Sequence, residues 1–262
     1  MDILTRWIDR SATLRIAALD ATRACRTICL LHDLDGEPAR VFSQSLCGAL
    51  LLASDLKAYQ TYSIQLDLDE STHHVDATPE GLVRGLVVPR AHPSTSARIQ
   101  GRRFGQNGLL YQSVVDAMAA GVGEALDAFV LQSDQQPSHM DLQVEMGPEG
   151  LPNLAKGAWL RGFPDTKPEA LHQFLSDGST RDKNWLPAAP WTGLSGGPWD
   201  SLATLEPKAF CPCSEEKAVG ALKTLGREEL EKAHELGQEL EIVCDYCHSR
   251  YGVAAKTVLD AL

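Results

Sequence analysis

The sequence lacks any uninterrupted apolar run long enough to cross a lipid bilayer, which takes about 18–20 residues. Its first residues, MDILTRWIDRSATLR, carry charges in every turn and lack the apolar core of a secretory signal peptide. We therefore expect a cytoplasmic protein with no membrane partner, in a compartment where thiols stay reduced.

Positive charge is also scarce, with 24 Lys and Arg against 35 Asp and Glu and a formal net charge of −11. Nucleic-acid affinity depends on cationic side chains that neutralise phosphates, so this balance argues against a nucleic-acid partner. The C-terminal stretch 206–262 shows the same bias, because its acidic side chains outnumber its basic ones.

Motifs of catalysis are scarce as well. The sequence contains no phosphate-binding loop and no pair of carboxylates at a catalytic spacing, so we expect no enzyme activity. The cysteines number seven, and an odd number argues against a framework made only of disulfides.

Hydrophobic periodicity predicts an α+β fold. Tyr62, Ile64 and Leu66 alternate with polar residues, as in a strand with one wet face. The next two segments continue as strands in hairpin-like succession, which favours an antiparallel sheet. Residues 95–113 are also predicted to form strands with tight turns. Further elements are predicted as helices over 20–31, 39–57 and 117–133 and strands over 12–18, 140–146 and 155–163.

Residues 164–205 differ in composition from the rest of the chain. They contain five prolines, four glycines and three of the five tryptophans, namely Trp185, Trp191 and Trp199. Proline and glycine break long elements, whereas tryptophan favours burial. We interpret this stretch as a linker that covers one or both of its neighbours, an N-terminal mixed or antiparallel sheet domain with helices (1–163) and a small C-terminal module (206–262).

Four cysteines near the C-terminus form a Cys-x-Cys … Cys-x-x-Cys pattern. The long segment 214–243 separates Cys211 and Cys213 from Cys244 and Cys247. Two close pairs of thiolates suit one tetrahedral zinc ion per chain, with Zn–S bonds of about 2.3 Å. Four cysteines in such a pattern most often form a static structural zinc site. The Cys-x-Cys pair, and a gap longer than the ~15–20 residues of ordinary ribbons, favour a switch instead.

The small size of the module gives the metal a role in folding. A domain of this size is marginally stable, and structural zinc contributes roughly 10–16 kcal/mol to such modules. A disulfide between two of the sulfurs removes two ligands at once. The site is therefore able in principle to convert an oxidant signal into local unfolding.

The stretch FCPCSEEKAVGALKTLGREELEKAHELGQELEIVCDYCHSRYGV resembles the C-terminal module of the heat-shock protein thirty-three family, the redox-regulated holdase chaperones of bacteria. The segments GALLLASDLK, YQSVVDAMAAGVGEALDAFVLQSDQQPS and AKGAWLRGFP extend the resemblance into the first domain, so that it covers about 1–163 and 206–262. The Pro-, Gly- and Trp-rich linker departs from the family's helical, amphipathic one.

The resemblance implies a redox switch. The reduced protein would bind zinc through the four cysteines and be inactive. Strong oxidants would form the disulfides Cys211–Cys213 and Cys244–Cys247, with zinc release and unfolding of the module and linker. The active form would be a homodimer that binds unfolded or partly folded client proteins without using a nucleotide.

Two alternatives remain open. One is a constitutive zinc-stabilised binding module without redox switching. The other is a thiol oxidoreductase that uses Cys244 and Cys247 as its redox pair, which leaves the second cysteine pair unexplained.

The remaining candidate residues have simpler interpretations. Cys25, Cys29 and Cys47 are predicted to pack in the core as small apolar side chains. His248, which follows a ligand directly, is a weak competitor for the zinc. His73 and His74 alternate along a strand and are predicted at the surface or an edge, and Arg102 and Arg103 in a solvated turn.

Overall fold

The structure, a computed structural model, describes residues 1–9, 14–91, 97–117, 121–163, 166, 169 and 199–262. These residues form two compact units, Met1–Phe210 and Cys211–Leu262, and each is described by itself below. Trp185 and Trp191 of the expected linker lie outside the described residues. Across the described part, no helix is both long and apolar enough to span a membrane.

The first unit, residues 1–210, contains two sheets and three helices among its described residues. Its strands are β1 (Ile3–Asp9), β2 (Leu14–Asp20), β3 (Thr61–Asp67), β4 (Ser71–Ala77), β5 (Leu82–Pro89), β6 (Ala97–Gly105), β7 (Gly108–Ala117), β8 (Ser138–Met146), β9 (Pro152–Gly162), β10 (Trp199–Leu205) and β11 (Lys208–Ala209). Its helices are α1 (Thr22–Leu31), α2 (Gly36–Ala53) and α3 (Val122–Asp134). The predicted α+β class is confirmed.

The strands pair almost entirely in antiparallel fashion. One sheet has the order β10-β1-β2-β9-β8, and the other has the order β11-β5-β4-β3-β6-β7. The short β11 is the exception, because it runs parallel to β5. The predicted alternation in β3 is confirmed, since Tyr62, Ile64 and Leu66 are buried while the residues between them are partly exposed.

Helix α2 lies at the centre of this unit. It contacts β2, β8 and β9 of the first sheet and β3, β4 and β5 of the second. Phe42, Leu46 and Leu50 are fully buried on it. Close approach to the second sheet requires a glycine, because a Cβ at Gly85 would lie 2.9 Å from the Phe42 ring. The core of the unit is therefore built around one helix between two sheets.

Two strands of the first sheet do not follow the sequence expectations. β1 has no counterpart among the predicted elements. Residues 199–205 were expected in the linker but form β10, which pairs with β1 in the register Leu4↔Leu205. Trp199 packs with Trp7 against the buried Leu14 and Ile16. The linker was expected to lie on a domain because tryptophan favours burial. Trp199 is partly buried, but as part of a strand.

Two predictions for surface residues are wrong. The His73 side chain is 1% exposed, because its position on β4 faces α2 rather than solvent. Its ring nitrogens lie 2.8 Å from Ser45 Oγ and 2.9 Å from Ser71 Oγ, so the polar ring is satisfied inside the core. Arg102 and Arg103 both lie within β6 rather than in a turn, and both are partly exposed. The Arg103 guanidinium donates to both carboxylate oxygens of Asp134.

The second unit, residues 211–262, is small. It contains α4 (Glu215–Leu222), a 3₁₀ turn (Lys223–Leu225), α5 (Arg227–Glu235), β12 (Glu239–Val243), β13 (Arg250–Ala254) and α6 (Ala255–Asp260). β12 and β13 form an antiparallel hairpin. The core is a cluster of five buried residues, Ala218, Leu222, Leu230, Val253 and Val258. The described elements of this unit thus follow the order helix, helix, strand, strand and helix.

Candidate metal centre

The second cysteine pair lies in the loop of the β12–β13 hairpin. Cys244 follows β12 directly, and its N–H donates to the carbonyl of Ser249 at 2.9 Å. The N–H of His248 donates back to the Cys244 carbonyl at 2.8 Å, and His248 adopts a left-handed conformation with φ 55°. These bonds close a tight turn that holds the Cys244 and Cys247 side chains together.

The first cysteine pair lies in the extended segment that leads into α4. The Ser214 hydroxyl accepts a hydrogen bond from the Lys217 N–H at 3.3 Å and so caps the helix. The Lys217 ammonium also donates to the Pro212 carbonyl at 2.5 Å. The start of α4 therefore constrains the backbone between Cys211 and Cys213.

The fold of this unit brings the four predicted sulfurs together. All four Sγ atoms lie within 4.8 Å of one another, and all four side chains are partly exposed. No other group of at least three potential ligands is this close within the described residues, and His248 is not part of this one. The fold thus closes the long sequence gap between the two cysteine pairs.

The sulfur spacing fits a tetrahedral ion. Zinc–sulfur bonds of about 2.3 Å give edges of about 3.8 Å between sulfurs. The Sγ atoms of Cys211 and Cys244 are 3.7 Å apart, and those of Cys213 and Cys247 are 3.2 Å apart. The second edge has to open by about half an ångström to hold zinc. Each of these two distances joins a cysteine of the first pair to a cysteine of the second. Because all edges of a tetrahedron are equal, four sulfurs around one ion are equally far apart, and this geometry favours no particular disulfide.

Neighbouring polar groups adjust the protonation of the site. Burial favours the neutral thiol of Cys247. Hydrogen bonds with the side chain and N–H of Ser249, together with those to Cys213 and Cys244, outweigh this effect. The pKa of Cys247 is lowered to about 6 as a result. The sulfur is therefore a thiolate at neutral pH, which is the form that binds metals and reacts with oxidants.

Tyr251 is a contact that reasoning from the sequence did not assign. Its hydroxyl lies on β13 and donates to Cys213 Sγ at 3.0 Å, and this bond raises the pKa of Tyr251 to about 12. Hydrogen bonds from outside the ligand set orient metal ligands and tune their reactivity. The sequence signal that could have identified this contact is the position of Tyr251 shortly after Cys247. Strand alternation places it on the same face as Val253.

The other three cysteines lie in the first unit. Cys25, Cys29 and Cys47 are each 0% exposed, on α1 and α2, which confirms their prediction as core residues. They contribute nothing to the group of four sulfurs in the second unit.

Comparisons with known proteins agree with this arrangement. A family model described as Hsp33 protein matches residues 2–254. The 33 kDa chaperonin of Thermodesulfovibrio yellowstonii is 24% identical, with 98% of this chain and 97% of the relative covered. The 33 kDa chaperonin of Streptococcus thermophilus is 25% identical, with 96% of each chain covered.

The fold also matches a solved structure. The crystal structure of the 33 kDa chaperonin (HSP33) from Thermotoga maritima superposes with a TM-score of 0.80 at 20% identity, over 99% of this chain and 98% of that one. The match of the family model over nearly the whole chain, together with four cysteines placed to bind a metal, shows that this chain belongs to the Hsp33 family of chaperones.

Proposed function

We propose that the protein is a redox-regulated holdase, a chaperone that binds unfolding proteins under oxidative stress without using a nucleotide. The observation that carries the proposal is the placement of four mutually close sulfur atoms in a unit whose core holds five buried residues. The stability of a unit with so small a hydrophobic core depends on the connection that a metal ion bound to the four sulfurs would provide.

Zinc is the ion that suits this site, because four thiolates in a tetrahedral arrangement select it over harder cations. Cys211, Cys213, Cys244 and Cys247 would hold one ion per chain. When bound, the ion joins the extended segment before α4 to the β12–β13 hairpin and keeps the four sulfurs as thiolates.

Oxidation removes the ligands in pairs. Four thiolates react with two molecules of hypochlorous acid and two protons to give two disulfides, two chloride ions and two molecules of water. Each disulfide forms as one thiolate attacks the oxidant and a second displaces chloride from the resulting sulfenyl chloride. We propose the pairs Cys211–Cys213 and Cys244–Cys247, the pairing that the family resemblance implies.

Without the metal link, little holds the second unit folded. Its buried side chains Leu222, Leu230, Val253 and Val258 would become accessible and add to the apolar surface available to unfolded clients. We propose that the active form is a homodimer, that it acts in the cytoplasm, and that it binds neither nucleic acid nor membranes. The acidic balance of the chain is consistent with the exclusion of nucleic acid.

The decisive experiment follows metal, thiols and chaperone activity in one sample. The reduced protein should contain one zinc per chain and leave a heat-denatured client unprotected. After hypochlorite, zinc should appear in solution, four thiols should be lost, and client aggregation should fall. Reduction with dithiothreitol and added zinc should reverse all three changes. Zinc that stays bound, or oxidation without protection, would instead indicate a constitutive zinc-stabilised module.

Tryptic peptides separate the possible disulfide pairings. Cys211 and Cys213 share the peptide 209–217, and Cys244 and Cys247 share the peptide 233–250. The proposed pairs therefore give two peptides with an internal disulfide. The cross-pairs Cys211–Cys244 and Cys213–Cys247 give one linked species instead, which would refute the proposed pairing. Sedimentation of the oxidised protein tests dimer formation in the same samples.

A further inference from the structure

Three cysteines of the first unit take no part in the metal centre, and two of them touch. Cys25 on α1 and Cys47 on α2 lie with their Sγ atoms 3.9 Å apart. Both side chains are 0% exposed. This distance is close to van der Waals contact between two sulfur atoms, so the pair bridges the two packed helices.

Cys29 lies one turn further along α1 but has different neighbours. Its Sγ is 3.6 Å from the Ser43 hydroxyl oxygen and 3.8 Å from the Ala39 carbonyl oxygen. Cys25 also contacts α2 through the Ser43 carbonyl, at 3.8 Å. Of the three thiols, Cys25 and Cys47 are thus the two whose sulfurs meet, whereas Cys29 faces oxygen atoms.

We propose that Cys25 and Cys47 form a second disulfide site, which joins α1 to α2 under strong oxidants of the hypochlorous acid class. The two thiols and one molecule of hypochlorous acid give a disulfide, a chloride ion, a proton and a molecule of water. The sulfurs must approach from 3.9 Å to about 2.05 Å, which requires side-chain rotation and a small shift between the helices.

Burial makes this site slower than the metal centre. The contact with Cys47 and the loss of solvent both raise the pKa of the Cys25 thiol well above its ordinary value and so disfavour its thiolate, while burial keeps the oxidant away from both sulfurs. The pair therefore reacts only when α1 and α2 separate far enough to admit the oxidant. The four cysteines of the metal centre are partly exposed and react first.

A Cys25–Cys47 disulfide would hold the first unit in its folded arrangement. It closes a loop that contains the turn between α1 and α2, and α2 is the helix at the centre of the unit. Closing such a loop restricts the unfolded chain and stabilises the folded one. Heat and oxidant together would thus produce a form in which α2 resists unfolding. The inference does not depend on switching at the metal centre.

Tryptic mapping of the full-length protein tests the bond directly. Cys25, Cys29 and Cys47 fall on three different peptides, 24–26, 27–40 and 41–57. The protein is treated with hypochlorite at a temperature that partly opens the first unit, denatured, and alkylated before digestion. We expect peptide 24–26 linked to peptide 41–57, and an alkylated Cys29. The link should be absent or several-fold weaker after the same treatment at low temperature.

Alkylation of both Cys25 and Cys47 after the heated treatment would overturn the proposal. So would a bond from either residue to Cys29, or a bond between two chains. These readouts come from the wild-type protein and from peptides other than those of the metal centre. Failure here is therefore distinguishable from failure of the redox switch.

Matched variants supply a second measurement. Cys29→Ala should keep the linked peptide, and Cys47→Ala should abolish it and leave Cys25 alkylated. After heated oxidation, the thermal midpoint of the first unit should rise in the wild type and in Cys29→Ala, and dithiothreitol should remove the rise. The Cys47→Ala midpoint should not rise. An equal rise in Cys47→Ala would show that the stabilisation has another origin.

Discussion

At the scale of single residues, Tyr251 acts directly on one sulfur of the candidate metal centre. Its hydroxyl donates to Cys213 Sγ and withdraws electron density from a sulfur that must attack the oxidant. We expect Tyr251→Phe to bind zinc but to release it several-fold faster under peroxide. A chromogenic chelator reports the rate.

Tyr111→Phe is the matched control for Tyr251→Phe. It also removes one hydroxyl hydrogen bond, to the Ser133 carbonyl, but does so in the first unit. Its release rate should equal that of the wild type. Equal rates in Tyr251→Phe and the wild type would show that the tyrosine only packs beside the site.

His73 makes the stability of the first unit sensitive to acid. Burial, with a smaller contribution from His74, lowers the pKa of His73 from 6.5 to about 4. The unfolded chain therefore binds a proton on this imidazole more readily than the folded chain does. The contribution of His73 to the free energy of unfolding is consequently complete above pH 6.5 and is lost as the pH falls towards 4. The total loss is about 3 kcal/mol. Urea unfolding of the first unit between pH 7 and pH 4 measures it.

Variants at the two histidines isolate this effect. His73→Gln should be less stable at pH 7, because its bonds to Ser45 and Ser71 change, but its stability should decrease less steeply with acid. His74→Gln, on the opposite face of β4, should retain nearly the full slope. A His73→Gln slope equal to that of the wild type would assign the acid sensitivity to other groups.

The two histidines also show what the sequence can predict at this scale. Alternation along β4 correctly separates their faces, but it does not say which face is buried. A buried polar ring is tolerated only where partners lie within reach, and one partner of His73 is Ser45 on α2, a separate element of the chain. The grouping of Cys211, Cys213, Cys244 and Cys247 was predictable because their own spacing carries the information.

At the scale of elements, the cap of α4 connects helix formation to metal binding. Ser214 caps the helix directly after Cys213, and loss of an N-cap side chain costs about 1 kcal/mol. We expect Ser214→Ala to weaken zinc binding roughly five-fold, because metal binding and folding of the second unit are coupled. Competition with a chelator measures the affinity. Ser214→Asp retains a capping oxygen and should bind almost as tightly as the wild type.

Elements with a strong internal period were predictable, and elements defined by a distant partner were not. The alternation of β3 and the helix-ending Gly226 and Gly237, both with positive φ, are local signals. Strands β1 and β10 pair with each other although they lie near opposite ends of the first unit's sequence. Neither carries the strict alternation of β3, so only tertiary pairing defines them.

At the scale of the whole molecule, the two units differ in how much of their stability comes from packing. The first unit has a continuous core that includes α2 and both sheets. The second has one cluster of five buried residues and four mutually close sulfurs. We therefore expect oxidants that act on sulfur to affect the second unit first.

Metal removal should consequently unfold one unit and spare the other. Structural zinc contributes roughly 10–16 kcal/mol to the folding of small modules, more than a core of so few residues can replace. We expect a chelator to abolish amide protection over residues 211–262, while the described strands of the first unit and α2 keep theirs. Hydrogen exchange with mass spectrometry resolves the two regions in one experiment. The thermal midpoint of the first unit should not change. Protection that persists over β12 and β13 without metal would mean that packing alone holds the second unit, and oxidation of its cysteines could not then act by unfolding it.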